Sequence, residues 1–189
     1  RHGILIKGGT YLEHGRLLKA VALDKTGTLT LGKPVLTDAA PFGDRSLDQS
    51  LLIAASLDEH SGHPVAQALV AGWRERQPDT TLLPVENFGV LNGHGVKGLI
   101  AGQWWHLGNH RLVDELGVCS PELEARLAVL ENAGKTTVIL CAPTGPAAVF
   151  AVADTVRPES FAAIMDLRAL HVEPVMLTGD NPATARAIA

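Results

Sequence analysis

Cysteine is scarce in this chain of 189 residues: only Cys119 and Cys141 occur, far apart and without CxxC spacing. That leaves no disulfide framework and no set of thiolate metal ligands, and it fits a reducing compartment. A surplus of positive charge is missing too, because 16 Lys and Arg against 20 Asp and Glu give a formal charge of -4. With no basic run to neutralise a phosphate backbone, nucleic acid is not expected as a partner. Long apolar runs are also absent. The most apolar stretch, residues 137–153, is cut by "PTGP" at Pro143 to Pro146, so it reads as two strands and a turn rather than the roughly twenty residues that span a bilayer. The opening "RHGILIKGG" has too short an apolar core before Lys7 for a secretory leader. Any membrane part is therefore expected outside this chain, with these residues on the cytoplasmic side. Repeats and low-complexity tracts do not occur.

Apolar residues make up 46% of the chain, enough for a core in one domain or two modest ones. "AVAL" at 20–23 reads as a short buried strand ending on Asp24, followed by a turn-rich "DKTGTLTLGKP". "SLDQSLLIAASLDEH" opens with a capping box, Ser46 three before Gln49, and puts Leu47, Leu51, Ala54 and Ala55 on one helical face. "HPVAQALVAGWRERQ" begins a second helix, with Pro64 at its first position and Val65, Leu69 and Trp73 four apart. Residues 84–110 break into short glycine-punctuated strands, "SPELEARLAVLENAG" returns to helix, and "TTVILCAPTGPAAVFAVA" is a hairpin. From Asp154 onward the grammar is βαβ: helix "RPESFAAIMDLRALH", strand "PVMLTGD", then the start of a helix in "NPATARAIA". Both outer strands end on small polar residues, where open α/β sheets bind ligands. The middle thus reads as an insertion into an α/β domain.

A carboxylate at the end of a buried strand is costly unless something satisfies or uses it. Asp24 in isolation would commonly be a loop cap. It is also placed to attack a phosphorus atom, with Lys25, the amides around Gly27 and the hydroxyls of Thr26 and Thr28 around the transferring oxygens.

The string "DKTGTLT" resembles the phosphorylation signature of the P-type ATPases, and "GILIKGG", "SGHPVAQAL", "NGHGVKG" with "HLGN", and "TGDN" follow the order of the heavy-metal-transporting branch. The resemblance covers nearly the whole chain. It implies a fold of class α/β plus α+β. A partial haloacid-dehalogenase-like parallel α/β phosphorylation domain, residues 1–35 and 152–189, is interrupted by an inserted nucleotide-binding domain, residues 36–151, with an antiparallel sheet and flanking helices. By the same resemblance Asp24 is the phosphoryl acceptor beside Lys25, Asp24 and Thr26 hold Mg2+, and Thr178 and Gly179 contact the phosphoryl group with Asp180 in support. Asp154 and Arg157, in "DTVRP", become hinge residues near the ribose. ATP and Mg2+ are the implied cofactors. Related phosphatases carry a second Asp two positions after the nucleophile as acid and base, whereas this chain has Thr26, so the phosphoenzyme is expected to persist.

For the nucleotide the resemblance points to His63 and Pro64, to Gly93, Gly95 and Gly98 of "NGHGVKG", and to Gly108 and Asn109 of "HLGN". The family's Glu five residues before the His is here Asp58, with Glu59 next, so either acid is a candidate for the adenine amino group. His60 with His63, and His106 with His110, have zinc-like spacing but no evident third ligand, so neither pair is assigned a metal. Trp104 and Trp105 are adjacent on a strand and face opposite ways, one buried and one exposed.

The family's "GDGxND" landmark and the lysine before it do not occur, so the chain is expected to be part of a larger membrane pump that binds ATP without appreciable turnover by itself. Its partners are then the transmembrane and actuator domains of the same pump and a divalent heavy-metal ion bound outside this chain. "LGNHRLVDELGVCSPELEARL" resembles zinc, cadmium and lead exporters more than copper exporters, which stay the alternative. A soluble haloacid-dehalogenase-type phosphatase or a non-catalytic nucleotide-sensing module is the reading from another class.

Overall fold

The computed structural model describes residues 5, 8–43 and 45–177. The chain divides into two compact units, one formed by the chain up to Leu31 and again from Val156, the other by Gly32–Thr155.

In the first unit, α1 (Gly9–Gly15) precedes β1 (Ala20–Asp24), and α6 (Pro158–Ala169) leads into β8 (Glu173–Leu177). β1 and β8 pair in parallel, from Ala20 opposite Glu173 to Asp24 opposite Leu177. The strand read as buried is only half-covered: Val21 and Leu23 are partly buried while Ala20, Ala22 and Asp24 are exposed. Among the described residues this sheet has two strands, each alternating exposed and partly buried residues, so one face is partly covered and the other open, unlike parallel strands covered on both faces.

The second unit holds a six-stranded sheet in the order β2-β7-β6-β5-β4-β3. Its strands are β2 (Thr30–Pro41), β3 (Glu86–Leu91), β4 (Gly95–Ile100), β5 (Gln103–Gly108), β6 (Thr136–Ala142) and β7 (Gly145–Val156). Each successive pair from β3 to β7 is antiparallel. β2 is the main departure from the sequence reading, which took Gly32 and Pro34 as turn residues. As an edge strand β2 tolerates Pro34 and Pro41, whose missing N–H groups cost nothing on an unpaired side.

Helices cover both faces of this sheet. α2 (Leu47–Asp58) starts with the expected capping box, and α3 (Pro64–Arg76) starts on Pro64. They bury Leu51, Leu57, Leu69 and Trp73 against Val96, Leu107, Val138, Leu140 and Phe150. On the other face α4 (His110–Glu115) and α5 (Pro121–Asn132) pack Val113, Leu123 and Leu127 on Ile139, Cys141 and Val149. Alternate residues of β6 thus face opposite layers, which explains why it reads as one unbroken apolar run. Each such side chain contributes about 1.5–3 kcal/mol by leaving water. Trp105 is buried and Trp104 exposed, as their adjacency requires.

Candidate functional site

The chain after β1 turns through Lys25–Leu29, with Thr26 extended and Gly27 at φ 77, a conformation glycine adopts without strain. Thr30, fully buried, holds this turn by accepting from the Gly27 amide at 3.2 Å and donating to the Lys25 carbonyl at 3.0 Å. Arg157 donates to the Thr30 carbonyl at 3.0 Å and the Gly27 carbonyl at 3.1 Å. Ser160 Oγ donates to the Leu29 carbonyl at 2.8 Å, and the Arg157 amide meets the same oxygen at 2.9 Å. The turn is held by its own last residue and by the start of α6, leaving the Asp24 carboxylate exposed at the strand end. Lys25 is buried beside it.

Arg157, expected near a ribose, here spends its guanidinium on the carbonyls of this turn. Asp154 accepts from the Lys33 amide at 3.2 Å, joining β7 to β2. Thr178, Gly179 and Asp180 lie outside the described residues; the strand that leads into them ends beside Asp24. Thr30 and Ser160 were missed by sequence reasoning, although Thr30 stands inside the quoted motif.

A cavity of about 510 Å³ opens in the second unit where α2, α3 and the β3–β4 and β5–α4 turns converge. Val90, Leu91, Val96, Leu107 and Val138 give it apolar walls, and Asp58, His63, Gly93, Gly95, Gly108 and Asn109 all line it. Asp58 is buried, and loss of hydration pushes its carboxyl up to about 7. His63 caps α3, its Nδ1 accepting from the Val65 amide at 3.3 Å. Asn109 donates from Nδ2 to the Gly93 carbonyl at 2.8 Å and accepts from the Leu112 amide at 3.3 Å, so it ties the β3–β4 turn to α4.

Gly95 and Gly108 face each other across β4 and β5. A Cβ on Gly95 would fall 2.1 Å from the Leu107 carbonyl oxygen, and one on Gly108 would fall 2.0 Å from that of His94. The glycine pair therefore lets two strand backbones close on each other at the cavity rim.

Besides Asp154 and Arg157, three expected nucleotide residues are not in the cavity wall. Glu59 is exposed with its carboxylate 3.7 Å from Arg74. Pro64 serves as the first residue of α3. Gly98 sits under α2, where a Cβ would meet Val85 at 2.5 Å and Leu57 at 2.9 Å. Of the two candidate acids, then, Asp58 lies in the wall and Glu59 outside it. Ser61, His94, Thr136 and Thr137 also line the wall without having been singled out, and His60, weighed only as a metal ligand, joins them, since strand and helix periodicity carries no signal of which loops converge.

The residues fit the implied groups by chemistry. Apolar walls with a buried carboxyl at one point suit a flat base bearing an amino donor. The exposed Asp24 carboxylate and the hydroxyl of Thr26 offer oxygen donors of the kind Mg2+ takes.

A strand-end aspartate followed by a clamped turn, with the next parallel strand ending beside it, is the arrangement expected of the haloacid dehalogenase class. The chain belongs to the haloacid dehalogenase-like hydrolase family, which it matches over residues 18–189. Within that class its whole length is similar to heavy-metal-transporting P-type ATPases. It is 43% identical over 189 residues to a probable copper-transporting ATPase of Synechococcus elongatus, covering 100% of this chain and 25% of that protein. It is 41% identical over 192 residues to a probable cadmium-transporting ATPase of Staphylococcus aureus, covering 100% of this chain and 26% of that protein. A zinc-transporting PIB-type ATPase in its E2.Pi state superposes with a TM-score of 0.84 at 35% identity, over 100% of this chain and 30% of that one. The chain thus spans about a quarter of the length of the curated relatives it matches. Among the described residues no helix is long and apolar enough to cross a membrane.

Proposed function

We propose that this chain is the ATP-binding and phosphorylated part of a membrane pump that exports divalent heavy-metal ions of the zinc, cadmium and lead group. The observation that carries the reading is the pairing of an exposed Asp24 on a clamped turn with a separate apolar cavity holding a buried carboxyl.

In this reading residues 36–151 bind the nucleotide, and residues 1–35 with 152–189 take its terminal phosphoryl group. Asp58 accepts the adenine amino group, His63 packs on the base, and Gly93, Gly95, Gly108 and Asn109 border the sugar and phosphates. A carboxylate oxygen of Asp24 attacks the γ-phosphorus, the bond to the β,γ-bridging oxygen breaks, and ADP leaves with that electron pair. Thr26 and the turn amides steady the phosphoryl oxygens, and Thr178 and Gly179 are proposed to contact the phosphoryl group with Asp180 in support. Mg2+, held by Asp24 and Thr26, supplies charge neutralisation between the carboxylate and the phosphates when bound. Because position 26 offers a hydroxyl and no carboxylate, nothing there activates water, and the acyl phosphate lasts long enough to be coupled to ion movement.

Similarity to zinc- and cadmium-transporting proteins supports the ion class, and the copper-transporting relative favours copper as the second reading. The test is phosphoenzyme formation from γ-labelled ATP by the complete protein with each metal in turn. Stimulation by Zn2+, Cd2+ or Pb2+ is expected; stimulation by Cu+ alone would reassign the cargo.

A further inference from the structure

Just beyond the cavity residue Asn109, four side chains of three chemical kinds converge at the junction of α4 and α5. His110, Asp114, Cys119 and Glu124 each present a ligand atom, and these atoms all lie within 4.8 Å of one another. The convergence centres on one nitrogen: His110 Nε2 is 2.6 Å from Glu124 Oε1, 3.7 Å from Cys119 Sγ and 3.8 Å from Asp114 Oδ1. Cys119 Sγ in turn donates to Glu124 Oε1 at 2.9 Å.

The backbone holds these groups in place. His110 and Asp114 stand one turn apart on α4, whose Leu112 and Val113 are buried. Gly117, at φ 66, then reverses the chain, and Ser120 caps α5 by accepting from the Leu123 amide, which sets Glu124 in its first turn. Leu123 and Leu127 anchor α5 in the same core cluster as Val113. The ligand atoms remain reachable, with the side chains of His110, Asp114 and Glu124 33%, 60% and 50% exposed.

We propose that His110, Asp114, Cys119 and Glu124 form a binding site for one Zn2+ or Cd2+ ion. Metal–ligand bonds of about 2.0–2.3 Å place tetrahedral ligand atoms about 3.3–3.8 Å apart, so small side-chain rotations reach that spacing, the two hydrogen-bonded contacts to Glu124 opening and the wider ones closing. A thiolate with an imidazole selects a borderline or soft ion over Mg2+ or Ca2+, which take oxygen ligands. On binding, Cys119 gives its thiol proton to solvent and the carboxylates balance the ion's charge. The sequence alone had paired His110 with His106, but His106 lies opposite Lys97 on β4, a cationic neighbour that disfavours an ion there.

The test is a titration of the metal-free full chain with Co2+ and then Zn2+, in excess Mg2+. One equivalent of Co2+ is expected to give tetrahedral visible absorption and a sulfur-to-metal charge-transfer band, both removed by Zn2+. Cys119→Ser should abolish that band and His110→Ala should weaken binding about tenfold or more, while Cys141→Ala and His106→Ala leave both unchanged. In the unmutated chain Zn2+ should also protect Cys119 from alkylation, a readout that needs no variant to fold. Absence of the band in the unmutated chain, its survival in Cys119→Ser, or unprotected Cys119 at saturating Zn2+ would each overturn the proposal. A network that only hydrogen-bonds α4 to α5 gives none of the expected signals.

Discussion

Thr30 shows how much of the turn after Asp24 rests on one residue outside the proposed chemistry. Its hydroxyl bonds to the Gly27 amide and the Lys25 carbonyl, so Thr30→Val removes two hydrogen bonds at nearly constant volume. At about 1 kcal/mol per bond, the rate of phosphoenzyme formation is expected to fall about tenfold or more, with Thr30→Ser retaining most of it. Equilibrium ATP binding, measured in parallel, should not change, because Thr30 belongs to the other unit. Asp58 gives a stability test with a definite sign. Its carboxyl ordinarily titrates at 3.8 and is raised to about 7 by burial. Between those values the folded chain holds a proton that the unfolded chain has released. The residue's contribution is therefore full below pH 3.8 and is lost as pH rises towards 7. Asp58→Asn should gain on the native chain by roughly 2–3 kcal/mol between about pH 5 and about pH 8 in urea unfolding. A pH-independent difference would show that Asp58 ionises freely in the fold.

At the scale of elements, legibility followed local chemistry. The Ser46–Gln49 box, Pro64 at the head of α3 and Ser120 before α5 each start a helix by satisfying or lacking backbone donors, and all three are found where the sequence puts them. β2 was not legible, since glycine and proline mark turns locally while the edge of a sheet accepts both. α4 escaped notice because six residues carry too little periodicity. Glycines were read as ligand contacts; the structure gives three of them a packing role as well, Gly98 making room for α2 and Gly95 with Gly108 letting β4 and β5 close. Gly95→Ala and Gly93→Ala separate space from backbone strain. Gly93, at φ 75, has nothing within 4 Å of a new Cβ, so alanine should cost about 1 kcal/mol of stability, and a fall in ATP affinity beyond that would come from contact with the nucleotide. Gly95, at φ 147, would drive the Cβ into the Leu107 carbonyl, so the cost should be about 2–4 kcal/mol with nucleotide binding largely lost. Thermal unfolding with and without ATP checks both.

Across the whole molecule, the order of motifs carried more than any motif alone. "DKTGTLT", the His-Pro pair and the two glycine-containing turns are each short, yet their sequence along the chain matched an α/β frame with an insertion, and the frame appears as β1 beside β8 around Gly32–Thr155. What stayed illegible was convergence. The cavity draws on four separated segments, and the α4–α5 cluster joins ligands of different kinds, so no spacing rule for like residues finds either. In the proposed reading both units serve one chemical event, transfer of a phosphoryl group to a single carboxylate. The most direct measurement is borohydride reduction of the complete protein after brief exposure to ATP and Mg2+, followed by peptide mass spectrometry. Homoserine in place of Asp24, absent when ATP is withheld, is the expected result. Phosphate turnover with an unmodified Asp24, or homoserine at another aspartate, would contradict it.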